Sequence, residues 1–521
     1  MGRNETTKKI LMNIALPLSD KIQNRLFFLT VLATVCFLFY PKYLPMNDLP
    51  QHAAQVAALD DLLKHRSPWA DMLQINWDTP YLTVYALWLA LYQFMGINAS
   101  SKALVALEFL FFIYTAVKMR KEMGAERMTD WVALTCFFGF AFQWGFVGYI
   151  MGIPVGILFF IANKRWIENP SAKMLAAISA LGIWSYFSHI LTFSFFCLLS
   201  YGYFLFRIKE IPWKQRFSLT AAYLFFAALL ARYTAKPNPV PYKAFEDNFI
   251  QHSFWDKILE IAYLPWNMSV LFYYDIACLF LFAAPIAANC RPTREKSRYV
   301  PLLACLAVYF LMPHFTFQTS FLYERFALFV PIFYYLIWEK KPETQGRTAA
   351  KISEAACLLS ALCIAALTGK AYLNNILFDH SQKLADFIKI SQMMENGKKI
   401  LTVNDPLSIS EGSLTSGGEF FHIAQWYQAE RQGWADYSFA SAHAMPVRMK
   451  MKEMYDGYSQ VRFLSEYNLT RKTDCRRYDY LLILTANHTS DTLEKLLAAN
   501  PSCSRVSHIK TIGEWSLFRR H

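Results

Sequence analysis

Long apolar runs separated by short charged connections fill the chain from Leu26 to about residue 372. They lie near 26–45, 103–118, 130–147, 149–163, 172–188, 190–206, 216–232, 266–288, 299–312, 326–338 and 352–372. A membrane-crossing helix needs about 20 apolar residues, fewer where its ends snorkel. The pattern therefore predicts a polytopic α-helical membrane protein with about eleven transmembrane helices. The connections alternate in charge. Lys8, Lys9, Lys21 and Arg25, then Lys118, Arg120, Lys121 and Arg127, then Lys164, Arg165 and Lys173 mark one set. It continues with Arg207, Lys209, Lys214 and Arg216, with Arg291, Arg294, Lys296 and Arg298, and with Lys340, Lys341, Arg347 and Lys351. Lys and Arg collect in cytoplasmic connections, so this set is expected inside. The N-terminus is then cytoplasmic and the C-terminus extracytoplasmic.

Tyr81 to Phe94 is apolar and aromatic but short, and Pro80 precedes it. Counted as a span, it would put five later basic connections outside. It is therefore expected as a helix lying in or dipping into the outer leaflet. The first outer connection, 45–102, is long and carries Asp48, His52, Asp60, Asp61, Asp71 and Asp78. Later outer connections hold Gln143-Trp144-Gly145-Phe146-Val147-Gly148-Tyr149, Ser188-His189, a Pro-rich stretch with Lys236, Lys243 and His252, and Pro313 to Arg325.

From about residue 373 the pattern changes to that of a soluble α/β domain, giving a division at 1–372 and 373–521. Lys399 to Val403 and Tyr480 to Leu484 are short branched apolar runs that predict buried strands. Asp491 opens an expected helix, with Glu494 as capping-box partner, that stops before Pro501. Val506 to Phe518, broken at Gly513, predicts a hairpin.

Composition narrows the class. Of 521 residues, 55% are hydrophobic, 17% aromatic and only 17% charged, whereas soluble domains carry about 25% charge. The net charge of +13 sits in the short basic connections, which assigns it to membrane topology and not to nucleic acid. No small-residue cleavage site follows a short apolar core near the N-terminus, so the first run is expected to stay as a span. Ten cysteines show no Cys-x-x-Cys spacing and hence no zinc or thiol-redox motif. Most lie in apolar runs as small buried hydrophobes, while Cys475 and Cys503 could form a disulfide in an oxidising outer compartment.

Candidate chemistry starts at Asn47-Asp48-Leu49-Pro50-Gln51-His52. Asp48 suits a helix N-cap, with Pro50 in the first turn, Gln51 completing a capping box and His52 on the same face. A carboxylate held there also suits a general base or a metal ligand. An acidic residue just past the first span, in a long outer loop, resembles the GT-C superfamily of membrane glycosyltransferases. Asp78-Thr79-Pro80-Tyr81-Leu82 and the basic turn Lys118-Met119-Arg120-Lys121 resemble further family features. The resemblance implies an inverting transfer of a sugar from a polyprenyl-phosphate carrier to a glycan, lipid or protein acceptor. It implies cell-envelope polysaccharide assembly at the outer face of a bacterial inner membrane, with Asp48 as base and His52 beside it. The chain lacks the Asp-x-Asp pair, so a magnesium or manganese ion, held by Asp48 and His52, is an open expectation.

Arg325 closes an outer connection at a span boundary, and its planar fork suits the donor phosphate; Lys236 and Lys243 are alternatives. Gln143, Trp144, Tyr149, His189, His314 and Glu324 are candidate substrate contacts at outer span ends. His422, Trp426 and Arg431 combine aromatic faces with hydrogen-bonding groups, as a sugar acceptor would require. Gly145, Gly148, Gly152 and Gly156 are expected to serve close helix packing. A transporter or flippase, or a silent membrane scaffold, is the alternative. The spans hold few charges, Glu108 being a rare one, which disfavours transport.

Overall fold

The computed structural model describes residues 20–235, 250–266, 272–316, 319–341, 347–410, 418–442, 444–450 and 463–521. Each apolar run falls on helix. The helices are Asp20–Leu38, Ile97–Glu122, Met128–Phe137 followed by Phe140–Trp144, Val147–Glu168, Ala172–Ser188, Ile190–Phe206, Trp213–Thr234, Phe272–Ala287, Val300–Leu311, Phe329–Leu336 and Arg347–Asp379. Among the described residues, five have the length and composition to cross a membrane: Lys21–Leu38, Ile97–Glu122, Val147–Glu168, Trp213–Thr234 and Ala350–Asp379. At 1.5 Å per residue, Met128–Phe137 and Phe329–Leu336 reach only about 15 and 12 Å, less than the roughly 30 Å hydrocarbon core. The chain is a mostly helical integral membrane protein.

Val147–Glu168 is the central helix, buried on nearly all sides. Its neighbour Ile190–Phe206 comes close because two glycines leave room. A Cβ on Gly152 would lie 2.2 Å from Thr192 Oγ1, and one on Gly156 would lie 2.0 Å from the Phe196 ring. This is the small-residue packing expected between helices in lipid. Peripheral helices instead expose large apolar groups, such as Phe217 and Leu224 on Trp213–Thr234, as a lipid-facing surface does.

Leu82–Tyr92 has 11 residues, about 16 Å, too short to cross. It buries Val84, Tyr85 and Trp88, and Trp88 Nε1 donates to Ser100 Oγ at 3.0 Å. It is accordingly a short helix docked on the protein.

The C-terminal segment forms a five-stranded mixed sheet in the order Val506–Ile512, Trp515–Arg520, Tyr480–Leu484, Lys399–Asn404, Trp434–Ala435. The hairpin turns at Gly513, whose φ of 58° favours glycine. Tyr480–Leu484 runs parallel to Lys399–Asn404, and all five of its side chains are buried. The following helix, Ser490–Ala498, is capped by Thr489, whose side chain accepts from Thr492 N. It thus starts one residue earlier than expected, and Glu494 instead accepts from His508 N. Cys475 and Cys503 form a disulfide.

This sheet does not stand apart from the first connection. The Leu49–Leu63 helix packs on Gln425–Arg431, and Leu73–Ile75 pairs antiparallel with Val447–Met449. Gln55 Oε1 accepts from Val447 N at 3.0 Å, and Trp69 Nε1 donates to Gln432 O at 2.9 Å. Residues near both ends of the chain are thereby brought to one place.

Candidate functional site

Asp48 sits at that junction. Its backbone N donates to Trp144 O at 3.0 Å, and Asn47 N donates to Gln143 O at 3.0 Å. The acceptors belong to a turn closed by Gly145 at φ 76°, where a Cβ would come within 2.9 Å of Asp48 N. Asp48 precedes the Leu49–Leu63 helix, with Pro50 in its first turn, but its side chain makes no capping hydrogen bond. The capping box is not formed either. Gln51 turns to the C-terminal segment, where its Oε1 accepts from Phe439 N at 3.0 Å and its Nε2 donates to Tyr437 O at 2.7 Å. The Asp48 carboxylate is therefore left for other work.

Gln51 also sets the state of the neighbouring imidazole. Its Nε2 lies 3.1 Å from His422 Nδ1, and with Oε1 already accepting from a backbone N–H, Nε2 is the donor. His422 then accepts at Nδ1 and carries its proton on Nε2, which lies 3.4 Å from Asp48 Oδ1. Burial pushes the Asp48 carboxyl up to about 7, against the opposing pull of the Arg325 charge. His52, also buried, is pushed down to about 3, first by burial and then by Arg325. It is neutral, with Nδ1 2.6 Å from Tyr85 Oη.

Arg325 is the common centre of charge. Its guanidinium lies 3.8 Å from the centroid of the Phe146 ring, with Nε donating to Phe321 O at 3.0 Å and one terminal nitrogen to Ser320 O at 3.2 Å. Its carbonyl accepts from Tyr149 Oη at 2.7 Å. Its charge acts on Asp48, His52, Tyr81, Tyr149 and His189. Among the described residues it forms no ion pair of its own, so one face of its planar fork stays available to an anion. His189 joins the helices Ala172–Ser188 and Ile190–Phe206, accepts from Leu191 N at 3.2 Å, and packs edge-on against Tyr81 and Tyr149. Burial first, and Arg325 second, hold it well below the usual imidazole range.

The structure thus gathers Asp48, His52, Gln143, Trp144, Tyr149, His189, Arg325 and His422. The Trp144 and Phe321 rings lie tilted at 37° with centroids 4.3 Å apart, and Gln143 Nε2 donates to buried Glu419. Trp426 and Arg431 are not brought in. Trp426 is buried against Tyr43 with ring centroids 4.6 Å apart, and one nitrogen of Arg431 donates to the carbonyls of Ser391, Gln392 and Met394. Both do structural work there. His314 and Glu324 bond to each other beside His252, next to Arg325 in sequence. Lys236 and Lys243 lie outside the described residues. Sequence reading gave Gln51 only as a capping partner and Tyr81 only as part of a helix start, and did not single out Tyr85 or Glu419. Nothing in local spacing marks their place in the site, because most of their partners lie far away along the chain.

Among the described residues, Asp48 and His52 do not by themselves supply the donor set of a magnesium or manganese site. Hard cations take several oxygen ligands, and here one carboxylate faces imidazoles whose nitrogens are partly engaged by Tyr85 and Gln51. Among the described residues Asp48 and His52 belong to no cluster of three possible ligands.

No protein-family model matches the sequence, and no curated protein is similar to it in sequence. Among solved structures, the chain is similar to ArnT from Cupriavidus metallidurans bound to undecaprenyl phosphate. That match has a TM-score of 0.52 at 10% identity and covers 96% of this chain and 98% of that one. The chain shares the fold of that structure. A second similar structure is the arabinofuranosyltransferase AftD from mycobacteria, with a TM-score of 0.43 and 12% identity over 98% of this chain and 42% of that one. The ArnT match runs over nearly the whole length of both chains.

Proposed function

We propose that the protein is an inverting membrane glycosyltransferase that takes a sugar from a polyprenyl-phosphate carrier. The observation that carries the reading is the convergence of one buried carboxylate, Asp48, and one guanidinium, Arg325, that has no ion pair among the described residues and whose charge reaches that carboxylate. Transfer of a glycosyl group needs a proton removed from the acceptor hydroxyl and negative charge stabilised on the departing phosphate. Asp48, with its affinity for protons raised by burial, accepts the acceptor's proton. The acceptor oxygen forms its bond to the anomeric carbon as the carbon–oxygen bond to phosphate breaks. The electron pair leaves with the phosphate, which Arg325 receives. His422, with its proton directed at Asp48, orients the carboxylate and holds its charge. A single displacement inverts the anomeric centre and needs no protein nucleophile.

The carrier is inferred from chemistry and from the fold. Exposed apolar helix faces suit a prenyl chain, the guanidinium suits an anion, and ArnT, of similar fold, is seen with undecaprenyl phosphate. In this reading the helices sit in a bacterial inner membrane, with the N-terminus cytoplasmic and the C-terminal sheet extracytoplasmic, in cell-envelope polysaccharide assembly. The acceptor is a hydroxyl-bearing glycan, lipid or protein. The test uses purified protein in detergent with a radiolabelled undecaprenyl-phosphate sugar. Wild type transfers the label and Asp48→Asn does not. Equal transfer by the two would remove the base assignment, and none by wild type with any such donor would remove the reaction.

A further inference from the structure

Outside that site, two connections meet at a second cluster. Ile250 pairs with Phe315 as an isolated antiparallel bridge, His314 N donates to Ile250 O at 2.8 Å, and Leu322 N donates to His314 O at 3.2 Å. These backbone bonds place the two imidazoles face to face, with the His252 and His314 rings 4.7 Å apart and 11° from parallel. Glu324 is bonded to His314 Nδ1 through one oxygen. Its other oxygen is buried and has no partner among the described residues. One ligand atom from each of His252, His314 and Glu324 lies within 4.8 Å of the others.

We infer that His252, His314 and Glu324 bind a divalent transition-metal ion, zinc by preference. Two imidazole nitrogens and one carboxylate oxygen form the borderline donor set that zinc favours over magnesium or calcium. A purely hydrogen-bonded cluster leaves the second oxygen of Glu324 unsatisfied at 4% exposure, which is costly; a metal ion satisfies it. Glu260 and Glu324 bring two carboxylates, and the Lys257 ammonium is committed to the carbonyls of Tyr309, Phe310 and Met312. Arg325 stacks on Phe146, and its charge also reaches Glu324. Glu260 and Tyr323, bonded to each other and to His252, supply the outer support that metal-bound imidazoles use. Zinc–ligand lengths near 2.1 Å set neighbouring donors about 3.4 Å apart. The ion ties the segment beginning at Ile250 to the connection that ends in Arg325, and so positions that guanidinium without touching substrate.

The claim stands apart from glycosyl transfer, because its test reads metal and not turnover. Full-length protein is stripped with chelator, dialysed, and titrated with zinc against a chromophoric competitor; cobalt(II) replaces zinc for the absorption spectrum. The expected result is one zinc per chain and a tetrahedral cobalt spectrum. His314→Gln and Glu324→Gln should each weaken zinc by at least about tenfold while keeping the wild-type elution volume. His252→Asn, at a side chain about a third exposed (34%), is the substitution of the three expected to disturb the fold least. Failure of wild type to bind zinc, or unchanged affinity in His252→Asn and in the folded members of the other two, overturns the site.

Discussion

The buried carboxylate of Asp48 makes a prediction that needs no substrate. Its pKa stands near 7 in the folded protein against 3.8 for the free side chain, a rise of about three units caused chiefly by burial. At 1.36 kcal/mol per unit, this amounts to about 4 kcal/mol. The sign follows from proton counting. Between the two values the folded state binds more protons than the unfolded state, so stability falls as pH rises through this window. The cost is fully present above about pH 7 and absent below about pH 4. Asparagine at this position does not titrate. Relative to wild type, Asp48→Asn should therefore gain roughly 2–3 kcal/mol of stability between pH 5 and pH 8, even as it loses activity. Thermal unfolding of the purified protein in one detergent, at both pH values and one protein concentration, reads the difference. A midpoint gap between variant and wild type that widens with pH agrees with the argument. A gap that is constant, or that narrows, refutes the buried ionised carboxylate and with it the activated base.

Three other perturbations test the surrounding structure. Gly145→Ala forces a side chain into a left-handed backbone and within 2.9 Å of Asp48 N, so it should cost about 1–2 kcal/mol and lower transfer at least tenfold; Gly148→Ala, with its nearest contacts at 3.5 Å, should be much milder in the same assay. Arg325→Lys keeps the charge but loses the planar fork stacked on Phe146, and a fall of at least about tenfold in kcat/KM for the lipid-phosphate donor is expected. Removing the Cys475–Cys503 disulfide, whose partners are 28 residues apart, should lower the stability of the C-terminal sheet by about 3–4 kcal/mol, measured as faster limited proteolysis of that segment in Cys503→Ser.

Much of the scaffold was legible because periodicity is local. Apolar runs predicted the helices, branched runs predicted the strands at Lys399 and Tyr480, and glycine spacing predicted the contact of Gly152 and Gly156 with the neighbouring helix. The short Leu82–Tyr92 helix followed from its length. The site was only half legible. Asp48 and Arg325 stood out by residue type at span ends, but Asp48 read equally well as a cap with Gln51 completing the box. The structure rejects that because Gln51 finds better partners in Tyr437 and Phe439, nearly four hundred residues away. Long-range pairs of this kind leave no local pattern. The same blindness put Trp426 and Arg431 on a sugar-binding surface, when one fills the core and the other holds three carbonyls. It also left His252 unconnected to His314, beside which the bridge at Ile250 places it.

The central claim is that Asp48 removes a proton from the acceptor as the sugar leaves its lipid phosphate. The most direct measurement is the pH dependence of kcat/KM for sugar transfer by wild type and Asp48→Asn. With the carboxyl poised at about 7, wild-type kcat/KM should fall tenfold per pH unit below that value and level off above it. Asp48→Asn should be at least about a hundredfold slower and lack this acid limb. A variant that keeps both the rate and the limb would contradict the account.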